Sequence, residues 1–563
     1  MTYILGINEL LHDTSAVLIK DGKLLGAIEE ERLSKKKHAL GFCLMGDSPE
    51  RSINWCLDFF GISESDIDCV ALSFDVNFNT MLRMLYYVAS ESVQKMSIKN
   101  VFKKKFQEGD PGMNLIPGST YGYWFPRRKY LADLKRRFKK IIPVKHHIAH
   151  AYSTYYMSGF NEANIFVTDG LGDSSPTTTF HAKGNSIDQI KAYTPHQSLG
   201  ALYRTVSQIC GFVYFDAGKT MGLSAYGEYN QEYARYLELN GNGDYKISFK
   251  ELKSLERLSR GNEEIGQVHK DIAATLQKIL EDTGLSIVKS MYERTGCKKL
   301  CLSGGVTLNC VMNSILLQSE YVDDIFIQPA AMDMGAALGA AIYAYIQGGN
   351  EWKDVQRNMY LGPEFSDEEI ENVLSSSGLK YKHFENVEIE AAKLLSENKI
   401  IGWFQGRMEF GPRALGARSI LASPIESEMK DRVNKIKSRE LWRPLAPVIL
   451  DEEGDNWFEN YYPTPYMTLN FQFKEDKKNL VPSVVHVDGS ARVQSIDKYA
   501  DKKYHKLLEE FFKLTDVPIL LNTSFNRRKE AIVCKPEDAL DCFKGTPLDY
   551  LCIGNYIVSK SVD

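Results

Sequence analysis

The sequence has no Cys-x-x-Cys pair, no excess of basic charge and no low-complexity tract. Nor does any apolar run approach the roughly 18 residues that a membrane helix needs. Each absence narrows the reading. The ten cysteines are scattered, at positions 43, 56, 69, 210, 297, 301, 310, 534, 542 and 552, which gives no support to a zinc ribbon or a thioredoxin-like site. The opening residues Met1 to Asn8 lack the charged segment and long apolar core of a secretory signal. A reducing cytoplasm with free thiols is therefore expected, and no membrane partner. Lys plus Arg number 68 against 73 Asp plus Glu, a net charge of -5. That is not the footprint of a nucleic-acid binder. The lysine runs 35–37 and 103–105 read as solvated faces.

What is present is a soluble composition, 44% hydrophobic and 25% charged, over 563 residues, enough for about three or four lobes with their own cores. Tyr3 to Ile7 and Thr14 to Ile19 are apolar runs, and Asp21-Gly22 is a hairpin turn before Leu24 to Ile28. The layout returns at Asn164: Ile165 to Thr168, Asp169-Gly170, Thr177 to Ala182 and the turn Gly184-Asn185. Two such openings predict an internal duplication. Helices are predicted over Gln267 to Arg294, Val306 to Leu317 and Met334 to Tyr345, alternating with strands at Leu300 to Leu302 and Ile325 to Ile327. This is α/β architecture, in which ligands bind at the carboxyl ends of strands. Past the Gly348-Gly349-Asn350 break, strands are predicted at Ile400 to Phe404, Ala446 to Leu450, Tyr466 to Phe473 and Pro518 to Leu521. A boundary near 360 divides the chain into domains 1–358 and 359–563.

Three constellations carry chemistry. His146 and His150 are four apart on a predicted helix, so they share a face and can bite one metal ion, while capping or packing is the plain alternative. Asp333, in a strand-to-helix loop, is the candidate third ligand; two His and a carboxylate suit Fe(II), with Zn or Mn as alternatives. Three polar loops come next, the last two Gly-containing: Asn8 to Ser15, Asp169 to Asp173 and Ser303 to Val306. Their backbone amides can approach phosphate oxygens, although any one of them alone reads as a turn. His12, in the first loop, is either a base for an attacking hydroxyl or a loop histidine bonded to backbone. The third constellation is cationic: Gly411 to Ser419, Lys437 to Pro444, His486 to Arg492 and Asn522 to Asn526. Arg forks and a Lys point charge beside Ser and Asn form an anion pocket.

On these motifs the chain resembles the NodU/CmcH carbamoyltransferases over almost its full length. The resemblance runs through Gly6-Ile7-Asn8, His12 to Ala16, Glu29 to Arg32, His146 to Ala151, Gly218 to Leu223, Leu302 to Val306, Gly411 to Arg418 and Asn522 to Asn526. It implies a duplicated ASKHA (actin-like ATPase) domain fused to a YrdC-like α/β domain. It also implies an ATP-dependent O-carbamoyltransferase: the second domain makes carbamoyl-adenylate from carbamoyl phosphate and ATP with Mg, and the first passes the carbamoyl group to a hydroxyl of a small acceptor. The implied roles are iron at His146, His150 and Asp333, with His12, Lys437 and Arg443 catalytic. Asp13, Asp169, Gly170, Lys219, Gly304, Gly305 and Asn309 would bind nucleotide, and Lys437, Arg443, Arg492, Ser524, Arg413 and Arg418 would bind carbamoyl phosphate and ATP. Arg527-Arg528-Lys529-Glu530 is more basic than the family pattern. The aromatic segment Phe74 to Tyr130 is a candidate acceptor-side insertion, and a homodimer is left open. The alternative is a tRNA threonylcarbamoyladenosine-type enzyme, against which fusion of the modules and the acidic balance both count.

Overall fold

The computed structural model describes residues 1–41, 47–75, 119–173, 175–213, 215–261, 263–355, 358–499 and 501–560, with only the backbone over 119–126. Cys43, Lys103 to Lys105 and most of the Phe74 to Tyr130 segment lie outside the described residues. The chain is mixed α/β and forms two compact units, 1–30 with 38–355, and 31–37 with 356–563.

The first unit contains two sheets of one design. In the first, β1 (Tyr3–Asn8), β2 (Ser15–Lys20) and β3 (Lys23–Glu29) are antiparallel, and β1 pairs in parallel with β4 (Ile67–Leu72), which pairs with β5 (Ile141–Pro143). The second repeats this with β6 (Glu162–Thr168), β7 (Thr177–Lys183) and β8 (Ser186–Ala192). A separate hairpin follows, β9 (Leu237–Gly241) and β10 (Asp244–Ile247), before β11 (Lys299–Ser303) and β12 (Asp324–Ile327) complete the second sheet. The orders β3-β2-β1-β4-β5 and β8-β7-β6-β11-β12 are the same pattern, so the duplication expected from the two openings is present. The Asp21-Gly22 turn takes φ 48° and 76°, the left-handed pair whose twist suits a two-residue hairpin.

In each copy the fifth strand leads into a helix, His146–Ser158 in one and Asp333–Gln347 in the other. Small residues let these two helices and β1 approach closely. A Cβ on Gly339 would stand 1.7 Å from the Ala149 carbonyl oxygen, and one on Gly6 would stand 2.1 Å from that of Ala337. Beside this contact Leu5, Ile7, Ala16, Leu18, Ile53, Val70, Leu72 and Leu134 form a core on the first sheet.

Two predicted elements are shorter than expected. Val306 to Leu317 is broken into a 3-10 turn, Gly305–Leu308, and a helix, Cys310–Leu317, because Asn309 caps the latter. Tyr466 to Phe473 contributes only Leu469–Gln472 as strand.

The second unit is built on a nine-stranded mixed sheet. Its strands are β13 (Lys380–His383), β14 (Ile401–Phe404), β15 (Arg418–Ala422), β16 (Ala446–Leu450), β17 (Leu469–Gln472), β18 (Ser490–Ile496), β19 (Ile519–Ser524), β20 (Tyr550–Ile553) and β21 (Tyr556–Ser559). They run β13-β21-β20-β14-β15-β19-β16-β18-β17 across the sheet. Residues 31–37, expected in the first domain, group here: Arg32 donates to the Gly411 carbonyl at 2.8 Å, and Lys35 pairs with Asp538. Lys35 is thus not simply a solvated charge. Among the described residues no helix is long and apolar enough to cross a membrane.

Candidate functional site

The first unit gathers four ligand-type side chains at the carboxyl ends of its central strands. His146 and His150 come from one helix, Asp333 opens the other, and Asp169 follows β6; one donor atom from each lies within 4.8 Å of the rest. His146 Nε2 is 3.5 Å from Asp333 Oδ1, 3.6 Å from Asp169 Oδ2 and 3.1 Å from His150 Nε2. The far sides of both rings are tied down. His146 Nδ1 donates to the Ser73 carbonyl at 3.2 Å, and His150 Nδ1 meets Ser303 Oγ at 2.9 Å. Both Nε2 atoms therefore face the cluster, the arrangement that outer partners impose on metal-binding imidazoles. Phe74 stacks on His146, its ring centroid 4.0 Å away.

The electrostatics fit a cation. Asp169 Oδ2 and Asp333 Oδ2 are buried without a hydrogen-bond partner, which costs about 1–3 kcal/mol for each such atom. Burial raises the Asp169 carboxyl, yet the adjacent His146 and His150 imidazoles outweigh it and hold its pKa well below the usual range. Burial likewise opposes protonation of His146, but the Asp333 and Asp169 carboxylates raise its pKa to about 10. Burial and the neighbouring His146 charge keep His150 low. Two imidazole nitrogens and two carboxylate oxygens are a donor set that Fe(II), Zn and Mn accept.

The His12 loop is wired to this cluster. Asn8 Nδ2 donates to the carbonyls of His12 and Asp13 at 2.8 and 3.0 Å, and Asn8 Oδ1 accepts from Ser73 Oγ at 2.9 Å. Ser73 is the residue whose carbonyl holds His146. His12 Nδ1 lies 2.7 Å from Asp13 Oδ2.

The second unit carries the opposite charge. Lys437 is buried, and its Nζ donates to the carbonyls of Ser524 at 2.5 Å and Asn526 at 2.7 Å, and also to Asn526 Oδ1. Burial, then the nearby charges of Arg439, Lys37 and Arg443, push its pKa well below the ordinary lysine value. Arg439 is lowered too, by burial and then by Arg443 and Arg492. Five cations thus share one neighbourhood. Asn434 shapes the loop that carries three of them: its Oδ1 accepts from Arg439 Nε at 2.6 Å, and its Nδ2 donates to the Leu441 and Arg443 carbonyls at 3.2 and 3.1 Å. Arg439 Nη2 is buried with no hydrogen-bond partner. A buried guanidinium nitrogen among like charges is a place for an anion.

Family models for the carbamoyltransferase N-terminus and C-terminus match residues 3–342 and 392–560. The chain belongs to the carbamoyltransferase family. It is 36% identical to nodulation protein NolNO of Sinorhizobium fredii, covering 98% of this chain and 80% of that protein. It is 37% identical to nodulation protein NolO of Bradyrhizobium diazoefficiens over 74% of this chain and 79% of that one. An uncharacterised Synechocystis protein is 34% identical over 100% and 97%. The protein is accordingly a carbamoyltransferase enzyme.

In this carbamoyltransferase the expected residues fall into three groups. His146, His150 and Asp333 do come together, and so do Lys437, Arg443, Arg492 and Ser524. Others take different roles. Asp169 stands among the metal-type donors, and Gly170 donates its amide to Asp169 Oδ1 at 2.6 Å. Gly304, at φ 95°, lets the Thr168 carbonyl come within 2.2 Å of where a Cβ would be, and Gly305 borders Asp169. Lys219 pairs with Asp216 at 2.9 Å. Arg413 is half-buried on a loop whose Leu415, Ala417 and Arg418 amides donate to Glu409 Oε1 at 2.7, 2.9 and 3.1 Å.

Three expectations are corrected. Asp13 does not offer its carboxylate to a nucleotide, because His12 and His38 engage its two oxygens. Asn309 caps Met312 N at 2.9 Å and exchanges hydrogen bonds with Gln277 at 2.8 and 3.0 Å, so its side chain is committed. Arg418 is fully buried, lies 3.6 Å over the Phe404 ring and spends its terminal nitrogens on the carbonyls of Pro363, Gln405, Gly406 and Ala417. It is a structural cation. Sequence reasoning also missed Asp169 as a fourth donor and Arg439 and Lys37 as members of the cation cluster. The signal for Asp169 was its place at the end of a central strand; for Arg439, its position two residues after Lys437.

Proposed function

We propose that the enzyme is an ATP-dependent O-carbamoyltransferase working in two stages. The second unit, YrdC-like in this reading, binds carbamoyl phosphate and ATP with Mg through Lys437, Arg439, Arg443, Arg492 and Ser524. Water first cleaves carbamoyl phosphate to carbamate and phosphate; a carbamate oxygen then bonds to the α-phosphorus of ATP, the bond to the β-phosphate bridge breaks, pyrophosphate leaves and carbamoyl-adenylate is formed. The first unit, an ASKHA-type domain, then transfers the carbamoyl group to a hydroxyl of a small molecule. The logic is chemical: nitrogen donation into the carbonyl makes a carbamoyl group a poor electrophile, and a mixed anhydride with AMP supplies both a leaving group and a binding handle.

The observation that carries this reading is the buried cation cluster with its orphaned Arg439 nitrogen, in a different unit from the metal-type donors. Two polyanionic substrates need such a cluster, whereas a transfer step alone does not. In the first unit, His146, His150, Asp169 and Asp333 would hold a divalent ion, which supplies Lewis-acid stabilisation of phosphate charge when bound. His12 takes the proton of the acceptor hydroxyl. The free buried thiols found among the described residues suit the cytoplasm.

The test separates the stages. Lys437→Ala abolishes pyrophosphate release from ATP and carbamoyl phosphate, while His12→Asn spares it and loses transfer of the carbamoyl group. Equal loss of pyrophosphate release in both variants overturns the division of labour. Retention of tRNA in a filter-binding assay would favour the tRNA-modifying alternative instead.

A further inference from the structure

Asp13 follows β1 in the left-handed region, at φ 52°, a conformation that Asp tolerates better than most residues. Its backbone is held on both sides. The N–H donates to the His38 carbonyl at 2.7 Å, and the carbonyl accepts from Asn8 Nδ2 at 3.0 Å. Between these anchors the buried carboxylate is divided: Oδ2 takes His12 Nδ1 at 2.7 Å, and Oδ1 takes His38 Nδ1 at 3.3 Å. Phe215 closes the group. Its ring stacks on His38 at 3.8 Å and meets His12 edge-on at 5.6 Å.

An ionised carboxylate only accepts, so both Nδ1 atoms carry protons, and the nitrogen that gains or loses a proton is Nε2. Burial would raise the Asp13 carboxyl, but the charges and hydrogen bonds of His12 and His38 hold it well below the usual range. A fixed tautomer with an accepting Nε2 is what a base needs. The two rings are not equivalent, since His12 has the shorter contact and His38 is clamped by Phe215.

We propose that Asp13 and His38 are positioning residues for His12: Asp13 fixes its tautomer, and His38 pins the second carboxylate oxygen so that the first stays aimed at His12 Nδ1. This rests on the reading of His12 as the base. In the step served, the acceptor O–H proton moves to His12 Nε2 as the acceptor oxygen bonds to the carbamoyl carbon. The bond from that carbon to the adenylate oxygen breaks, and AMP leaves with the electron pair. Asp13 stabilises the imidazolium without taking its proton, which is then lost to solvent.

The test uses diethylpyrocarbonate, which carbethoxylates a histidine at an unprotonated ring nitrogen, with the rate at His12 read by mass spectrometry on the full chain. His38→Phe keeps the stack on Phe215 but removes the N–H donor. His38→Asn removes the stack but keeps an N–H donor. The expected result is a fall of at least about 10-fold at His12 in His38→Phe, with His38→Asn within about 3-fold of the parent. The reverse pattern, or equal falls, would mean that His38 only packs, and an inert His12 in the parent chain overturns the proposal as well. His12→Asn that still transfers the carbamoyl group removes the base reading alone, because the labelling comparison still decides whether His38 positions His12.

Discussion

His146 and Asp333 occupy the same place in the two copies of the duplicated frame. Each is the first residue of the helix that follows its copy's fifth strand, and His146 Nε2 lies 3.5 Å from Asp333 Oδ1. The duplication thus supplies facing donors from two helix starts, and the close Gly339–Ala149 contact brings those helices together. A carboxylate at a helix N-terminus is further favoured by the helix dipole.

The outer contacts of the donor cluster make a direct prediction. Ser303→Ala removes the partner of His150 Nδ1 and lowers divalent-metal affinity about 10- to 100-fold. Asp169→Asn removes a donor and lowers it at least as far. Metal titration of the stripped protein with Fe(II) or Zn, read by calorimetry, checks both. Unchanged affinity in Asp169→Asn would reduce the ligand set to three.

Helix contact is predicted to be intolerant of bulk. Gly339→Val puts branched carbon where the Ala149 carbonyl already stands, and the helices must separate or shift. A loss of about 3 kcal/mol is expected, measured as a fall in denaturant midpoint at constant slope. Ala340→Gly, one position on, weakens the helix by only about 1 kcal/mol.

Arg439 should matter to substrate more than to fold. Arg439→Leu relieves repulsion among Lys437, Arg443 and Arg492 and removes the orphaned nitrogen. Carbamoyl phosphate and ATP affinity are expected to fall about 10-fold or more, a loss on the order of 1.5–3 kcal/mol for a charge-assisted hydrogen bond. Thermal stability should be unchanged or raised. Isothermal titration with each substrate, beside a melting curve, separates the two effects.

The buried thiols give a pH test. Burial raises Cys210 and Cys301 to about 12 and Cys69 and Cys542 to about 11. Only the thiolate reacts, and at pH 8 a thiol of pKa near 12 is ionised about once in ten thousand. Iodoacetamide mapping of the native protein should leave these four unlabelled and label the half-buried Cys297. Their labelling should rise with pH, and abruptly on unfolding.

Much of this was legible in the chain itself. The i,i+4 spacing of His146 and His150, the hairpin turn at Asp21-Gly22 and the repeated strand openings are local patterns, and local backbone geometry obeys them. The cation cluster around Lys437 was foreshadowed by the Lys437 to Pro444 run for the same reason: its charges are close in sequence. The approach of Asp169 to His146, His150 and Asp333, the burial of Arg418 over the Phe404 ring, the capping role of Asn309 and the sharing of Asp13 by two histidines were settled only in three dimensions. A carboxylate or guanidinium has several partners of similar chemistry within reach of its type. Which one it meets depends on strand order, helix approach and burial, terms that act between residues far apart in the chain.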